Sequence, residues 1–317
     1  MEKKYFSLIL VFITLFILQA CKDSNDTSVS PMTHEYDWEG EVGKFNEPYR
    51  DSIIFNSDRS IGTAFAPSVH MMYKDGTGIH AKTTEWFTFG ACWSPRKWKI
   101  FFMADTSFGE SARSVYVMDA NGANKKRITD PAQDIIGLAV APDGKKIAYV
   151  VNFKNAYSAL FVANPDGSNP KQITEDFRDF GFIMLSWSSD SKRIAYDGAD
   201  YRIKVVNADG SNNGILFEAP KQCHFPAWSP DGTKMVYTSW GDDSPDIFIF
   251  DFENKINTRI TYRFGFVQSP KWSPDGKKII FAKRGENTPD HIYIMNRNGS
   301  DLQEITTGIG SDWGAVW

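Results

Sequence analysis

His224, Tyr262, Arg178 and Arg263 are the side chains best suited to chemistry in this chain. A histidine or tyrosine can take the proton α to a uronate carboxylate while a guanidinium holds the enolate that forms, the division of labour of a polysaccharide lyase. Rings crowd around them in sequence: Glu85-Trp-Phe-Thr-Phe89, Asp176-Phe-Arg-Asp-Phe-Gly-Phe182, Lys221-Gln-Cys-His-Phe225, Trp240, Tyr262-Arg-Phe-Gly-Phe266 and Ser311-Asp-Trp313. Aromatic faces interleaved with charge suit a sugar ring or the side chains of a partner protein. The candidate ligand-binding set is Trp86, Phe89, Phe177, Arg178, Phe180, His224, Phe225, Trp240, Arg263, Phe264 and Trp313. Many such rings are expected to fill gaps between elements instead, because aromatics are more often core than site.

Two further loops, Gly241-Asp-Asp-Ser-Pro-Asp246 and Gly285-Glu-Asn-Thr-Pro-Asp290, repeat one acidic pattern. Carboxylates and carbonyls so spaced could hold Ca²⁺, although Asx and proline turns are the preferred reading. No Cys/His set has zinc spacing, His70 and His80 read as structural, and no cofactor is expected. The formal net charge of −4 supplies no basic field, so nucleic acid is not an expected partner.

The elements that carry these residues repeat. Trp272-Ser-Pro-Asp-Gly276 runs into the strand-like Lys277-Lys-Ile-Ile-Phe-Ala282, and related units begin at Trp228, Trp187, Ala141 and Trp93. Each is followed by an alternating apolar run into a tight turn, as in Val115-Tyr-Val-Met-Asp-Ala-Asn-Gly122 and Ile292-Tyr-Ile-Met-Asn-Arg-Asn-Gly299. A short strand ending in Ile-Thr then closes the unit at Ile128-Thr129, Ile173-Thr174, Ile260-Thr261 and Ile305-Thr306. Positions Trp93, Val140, Trp187, Trp228, Trp272 and Trp317 are equivalent, with spacings of 47, 47, 41, 44 and 45 residues.

Pro presets φ, Asp bonds its own backbone and Gly accepts positive φ, so Ser-Pro-Asp-Gly folds one strand onto the next. Period-2 alternation specifies strands, and a repeat of this length built from four of them specifies propeller blades. Residues 51–58 and 69–84 read as a repeat lacking its first strand, and Gly314-Ala-Val-Trp317 reads as that strand alone. The expected fold is therefore all-β: a six-bladed propeller of four-stranded antiparallel blades, closed when the C-terminal strand joins the first blade. Cys92 and Cys223 then fall in blades two and five, too far apart for a disulfide, which needs Cα atoms within about 7 Å.

At the start of the chain, Lys3 and Lys4 precede an apolar run from Tyr5 to Leu18, a secretory signal. Leu18-Gln-Ala-Cys21 resembles the lipobox of bacterial lipoproteins, which implies acylation of Cys21 and anchoring through lipid alone. The expected organisation is a signal peptide at 1–20, a lipidated Cys and flexible tether at 21–47, and the propeller at 48–317. Lys22-Asp-Ser-Asn-Asp26 resembles the acidic run that directs some lipoproteins to the cell surface, so either side of the outer membrane is open.

The repeats resemble those of TolB-type six-bladed propellers, whose WSPDG and NADG signatures match from about Pro48 to Trp317. The chain has no room for the additional N-terminal α/β domain of TolB itself. The oligogalacturonate lyases are similar too, with more blades and a His-rich metal site. Together these readings imply a non-catalytic binding or scaffolding lipoprotein of the envelope, monomeric or within a complex, whose ring-rich loop face binds a glycan or an envelope protein. The alternative is a lyase of the oligogalacturonate-lyase type.

Overall fold

The computed structural model describes residue 49 and residues 51–59, 67–83, 87–105, 112–153, 157–177, 183–219, 221–240, 244–285 and 288–317, all within a compact unit spanning Gly43–Trp317. The segments read as signal peptide, acylated cysteine and tether lie outside the described residues.

Among the described residues twenty-four strands form six four-stranded antiparallel sheets. The inner strands are Thr88–Trp93, Asp134–Val140, Leu185–Trp187, Cys223–Trp228 and Val267–Trp272 in blades two to six, and Asp312–Val316 in blade one. Asp312–Val316 is the last strand of the chain and pairs with Ser52–Ser57, so the ring closes with a blade built from both ends of the domain. A propeller buries its apolar surface between sheets, and the core is accordingly divided into six clusters, each shared by two neighbouring blades. The cluster that unites Ile53, Phe55 and Met72 of blade one with Ile280, Ile292 and Ile294 of blade six completes the circle.

The turns show why the signature residues are needed. In blade five Ser229 donates through Oγ to Asp231 at 2.6 Å, Asp231 accepts the N–H of Thr233 at 2.9 Å, and Ser229 Oγ accepts the N–H of Lys234 at 2.8 Å. Blade six repeats this arrangement with Ser273 and Asp275. The Ile-Thr signature has an equally local cause. The hydroxyls of Thr129, Thr261 and Thr306, and that of Thr83 in the Lys-Thr of blade one, accept the backbone N–H groups of Val115, Ile247, Ile292 and Val69 at 2.8–2.9 Å, ending the outer strand against the third.

The tryptophans at the ends of inner strands tie blades together. Trp187 and Trp272 donate through Nε1 to the carbonyls of Ala139 and Ala227, one blade back, at 3.3 and 3.1 Å. Inner strands also bulge, with left-handed φ at Gly90, Phe225, Ser269 and Gly314.

Candidate functional site

The tight turns occupy one face of the ring, and the long second-to-third-strand and inter-blade connections occupy the other. On that loop face, blades five and six bring together several of the predicted residues. Trp240, ending the second strand of blade five, meets Phe266 edge-on with centroids 6.4 Å apart. Tyr262, Arg263 and Phe264 precede the inner strand of blade six; Tyr262 is 66% exposed, and Arg263 is exposed in a left-handed conformation. Cations lie over the rings: Arg259 on Tyr262 at 4.7 Å, Lys283 on Phe264 at 5.6 Å and Arg284 on Phe266 at 5.2 Å. Arg259 and Arg284 are themselves fixed by ion pairs to the buried carboxylates of Asp246 and Asp290. These are the last carboxylates of the two acidic loops, so each is engaged by a guanidinium.

Other predicted residues sit elsewhere. Phe89 packs on the core between blades two and three, and Trp313 on the core between blades six and one. Phe177 ends a strand of blade three, while Trp86, Arg178 and Phe180 lie outside the described residues. His224 and Phe225 are on the inner strand of blade five, at the axis and not with the rim cluster. No hydrogen bond or ion pair joins His224 to Arg263 or Tyr262 among the described residues. Cys92 and Cys223 are both free thiols, and burial pushes each up to about 12.

At the axis His224 keeps different company. Its ring meets Tyr201 edge-on at 5.6 Å, its Nδ1 is 4.0 Å from Asp197 Oδ2, and its Nε2 is buried without a hydrogen-bond partner. Burial pushes His224 down to about 4, so the imidazole is neutral at neutral pH. Asp197, ending the second strand of blade four, accepts the N–H of Phe225 at 3.0 Å across the blade boundary. Burial pushes its carboxyl up to about 7, against the backbone N–H of Phe225 and the positive charge of Lys271. Lys271, on the inner strand of blade six, is held below the usual lysine range by burial, with Asp197 and Cys92 opposing.

Sequence reasoning missed Asp197 and Lys271, although the repeat register contains a signal for both. Lys271 stands where the other repeats carry Cys92, Ala139, Ser186, Ala227 and Val316. Asp197 stands where they carry Asn56, Met103, Val150, Thr238 and Ala282. A charge that appears once in six at an interior strand position marks a departure from blade-building. Among the described residues no group of three or more His, Cys, Asp or Glu side chains is placed to hold a metal ion.

A closed ring of six four-stranded antiparallel blades defines the class as a six-bladed β-propeller. Residues 197–317 match the family model for the TolB beta propeller domain. A 78-residue stretch is 37% identical to the Tol-Pal system protein TolB of Hahella chejuensis, covering 22% of this chain and 18% of that protein, less than a fifth of its length. The crystal structure of TolB from Acinetobacter baumannii superposes with a TM-score of 0.72 at 16% identity, over 84% of this chain and 66% of that one. The oligogalacturonate lyase of Vibrio parahaemolyticus superposes with a TM-score of 0.55 at 16% identity, over 75% of this chain and 71% of that one. The chain is a TolB-like six-bladed propeller protein.

Proposed function

We propose that this protein is a non-catalytic binding protein of the bacterial envelope, anchored through an acylated Cys21, which grips a protein partner with the loop face of blades five and six. The observation that carries this reading is the set of Trp240, Tyr262, Phe264 and Phe266 with Arg259, Lys283 and Arg284, next to the exposed Arg263. Tyr, Trp, Phe and Arg are the residues enriched in the cores of protein interfaces and among their hot spots. Stacking a sugar requires an open ring face, and three of these rings already have a cation over one face, which favours a polypeptide over a glycan. A lyase needs its base and its cation within reach of one substrate carbon, and His224 has Asp197 and Tyr201 beside it instead of Arg263. The likeness to the Tol-Pal system protein TolB supports an envelope setting.

The test is photo-crosslinking in living cells with a benzophenone amino acid at position 262, and at the exposed Lys145 on the tight-turn face as control. A discrete envelope-protein adduct from position 262, absent from position 145 and lost in Arg263→Glu, is the expected result. Absence of any adduct, together with retarded migration of the protein through polysaccharide gels, would replace the protein partner with a glycan. Clearing of the polysaccharide around the band would make the protein an enzyme.

A further inference from the structure

The chain enters the ring on the tight-turn face. Ser52 opens the second strand of blade one, and the described residues before it are fixed among the turns. Tyr49 packs against Trp93 with ring centroids 6.3 Å apart and has the ammonium of Lys82 over its ring at 5.5 Å. Asp51 pairs with Lys74 at 3.2 Å, and its carbonyl accepts the Lys74 N–H at 2.9 Å. The Ser52 carbonyl accepts from Lys97 Nζ, on the first turn of blade two, at 2.7 Å. The segment that precedes Tyr49 therefore joins the ring on the face opposite the rim cluster. Between Cys21 and Tyr49 lie twenty-seven residues, a reach of at most about 100 Å when fully extended. A linker of that length holds the ring near a membrane without choosing the face it presents.

Charge distinguishes the two faces. Asp51 and the tight turns at 74–78, 94–99, 119–126, 141–146, 164–171, 188–193, 207–213, 229–234, 251–255, 273–278 and 296–301 carry sixteen Lys and Arg against twelve Asp and Glu. The rest of the chain carries nineteen against twenty-seven. Eleven of the twelve carboxylates are engaged within the face itself, as Asp143 is by the N–H of Lys145 at 2.9 Å and Asp231 by that of Thr233, also at 2.9 Å. Six exposed cations, Arg96, Lys145, Lys192, Lys255, Lys277 and Arg297, make no side-chain hydrogen bond or ion pair among the described residues, and each of blades two to six supplies at least one. A short aspartate held in its turn stays near the backbone while a four-carbon lysine stem reaches past it, so a surface approaching this face meets cations first. We propose that the tight-turn face docks on the anionic lipid surface of the bilayer holding the Cys21 anchor, leaving the loop face and its rim cluster pointing away from the membrane. The proposal rests on the acylation of Cys21. Each Lys or Arg near an anionic surface is worth about fivefold, and the anchor supplies the proximity, so a few unpaired cations suffice.

The test uses the full-length protein, purified from a bacterial envelope and reconstituted into vesicles of phosphatidylethanolamine and phosphatidylglycerol. A benzophenone amino acid replaces the exposed Asn254 on the tight-turn face or Tyr262 on the loop face. Lipid adducts formed on illumination are read by peptide mass spectrometry, which also reports whether Cys21 carries acyl chains. The expected yield at position 254 exceeds that at 262 by about tenfold or more. This bias should vanish in phosphatidylcholine vesicles and in about 1 M salt, where the Debye length is about 3 Å. Combining Lys145→Glu, Lys192→Glu and Lys277→Glu should lower the yield at 254 by at least about tenfold, and these exposed, unpaired positions can be reversed without unfolding the ring. Equal yields at the two positions with Cys21 acylated overturn the docking and leave the anchor standing, whereas an unmodified Cys21 overturns both. A bias that survives in phosphatidylcholine or in the triple variant refutes the charged face as its cause. Absence of bias, together with retardation in an acidic polysaccharide gel that the triple variant relieves, assigns the face to a glycan in place of lipid.

Discussion

Replacing Asp197 with Asn tests the electrostatics of the channel through stability. In the unfolded chain Asp197 titrates near 3.8 and His224 near 6.5, whereas in the folded protein burial moves them to about 7 and about 4. Asp197, with its folded pKa raised, contributes stability that is full below pH 3.8 and is lost as the pH rises through 7. His224, with its folded pKa lowered, contributes stability that is full above pH 6.5 and is lost as the pH falls toward 4. Between these limits the two cancel. The unfolded pair carries one proton, on the histidine, and the folded pair carries one, on the aspartate. In Asp197→Asn the folded pair carries none, so stability should fall on acidification by about 1.4 kcal/mol per pH unit, or about 3 kcal/mol between pH 6.5 and 4. His224→Gln should do the opposite, gaining about 1.4 kcal/mol per unit as the pH falls from 7 toward 4. Urea unfolding followed by tryptophan fluorescence at several pH values measures both, and subtraction of the wild-type curve removes the groups that interact with neither Asp197 nor His224. Parallel pH profiles for wild type and both variants would refute the reasoning.

Three further outcomes follow from the ring. Asp312 is fully buried on the closing strand, accepting from Ser57 Oγ at 2.6 Å and from Arg59 Nε at 2.9 Å. Asp312→Ala leaves Arg59 partly buried without its counter-charge and should cost about 3–5 kcal/mol in urea unfolding. Gly167 has φ +85°, and a Cβ there would lie 1.8 Å from the carbonyl oxygen of Ile128 in the preceding blade. Gly167→Ala should therefore lower stability by more than about 2 kcal/mol, measured by thermal unfolding. Trp272 donates to Ala227 at 3.1 Å whereas Trp93 Nε1 is buried without a partner, so Trp272→Phe should cost about 1–3 kcal/mol more than Trp93→Phe.

The blade count and the mode of closure were legible because the signature residues serve local geometry. Pro-Asp-Gly and Asn-Gly announce turns wherever they occur, and the solitary strand at Gly314–Trp317 had only one sheet left to complete. The rim cluster was half legible. Its rings fall in long connections, which sequence reveals, but the meeting of Trp240 with Phe266 depends on two connections of neighbouring blades folding toward each other. The channel was opaque for a different reason. Alternation tells which strand residues are apolar but not which strand is innermost, so Lys271 looked like one more lysine beside a tryptophan. The bulge at Phe225 uses a residue with no turn preference, and that at Ser269 a serine within a strand-like run, so neither is marked in the sequence as the glycine bulges are.

Two of the sequence signatures prove to be halves of one joint. The glycine that ends a third-to-fourth-strand turn packs on the carbonyl of the isoleucine that opens Ile-Thr in the blade before it. Gly76 meets Ile305, Gly167 meets Ile128, Gly210 meets Ile173 and Gly299 meets Ile260. The pairing of Gly76 with Ile305 carries the same joint across the closure between blades six and one. A substituted Cβ at these glycines meets backbone, which cannot move aside as a flexible side chain can. In these four blades the tight-turn face is therefore constrained by the blade before, and a change there is felt as a loss of ring stability. One joint of this kind also reaches the inner strands, where a Cβ on Gly137 of blade three would lie 2.5 Å from the carbonyl oxygen of Ile183 in blade four, whereas Lys271, Asp197 and the rings of blades five and six depart from the repeat at positions where no glycine is packed on a carbonyl of the neighbouring blade.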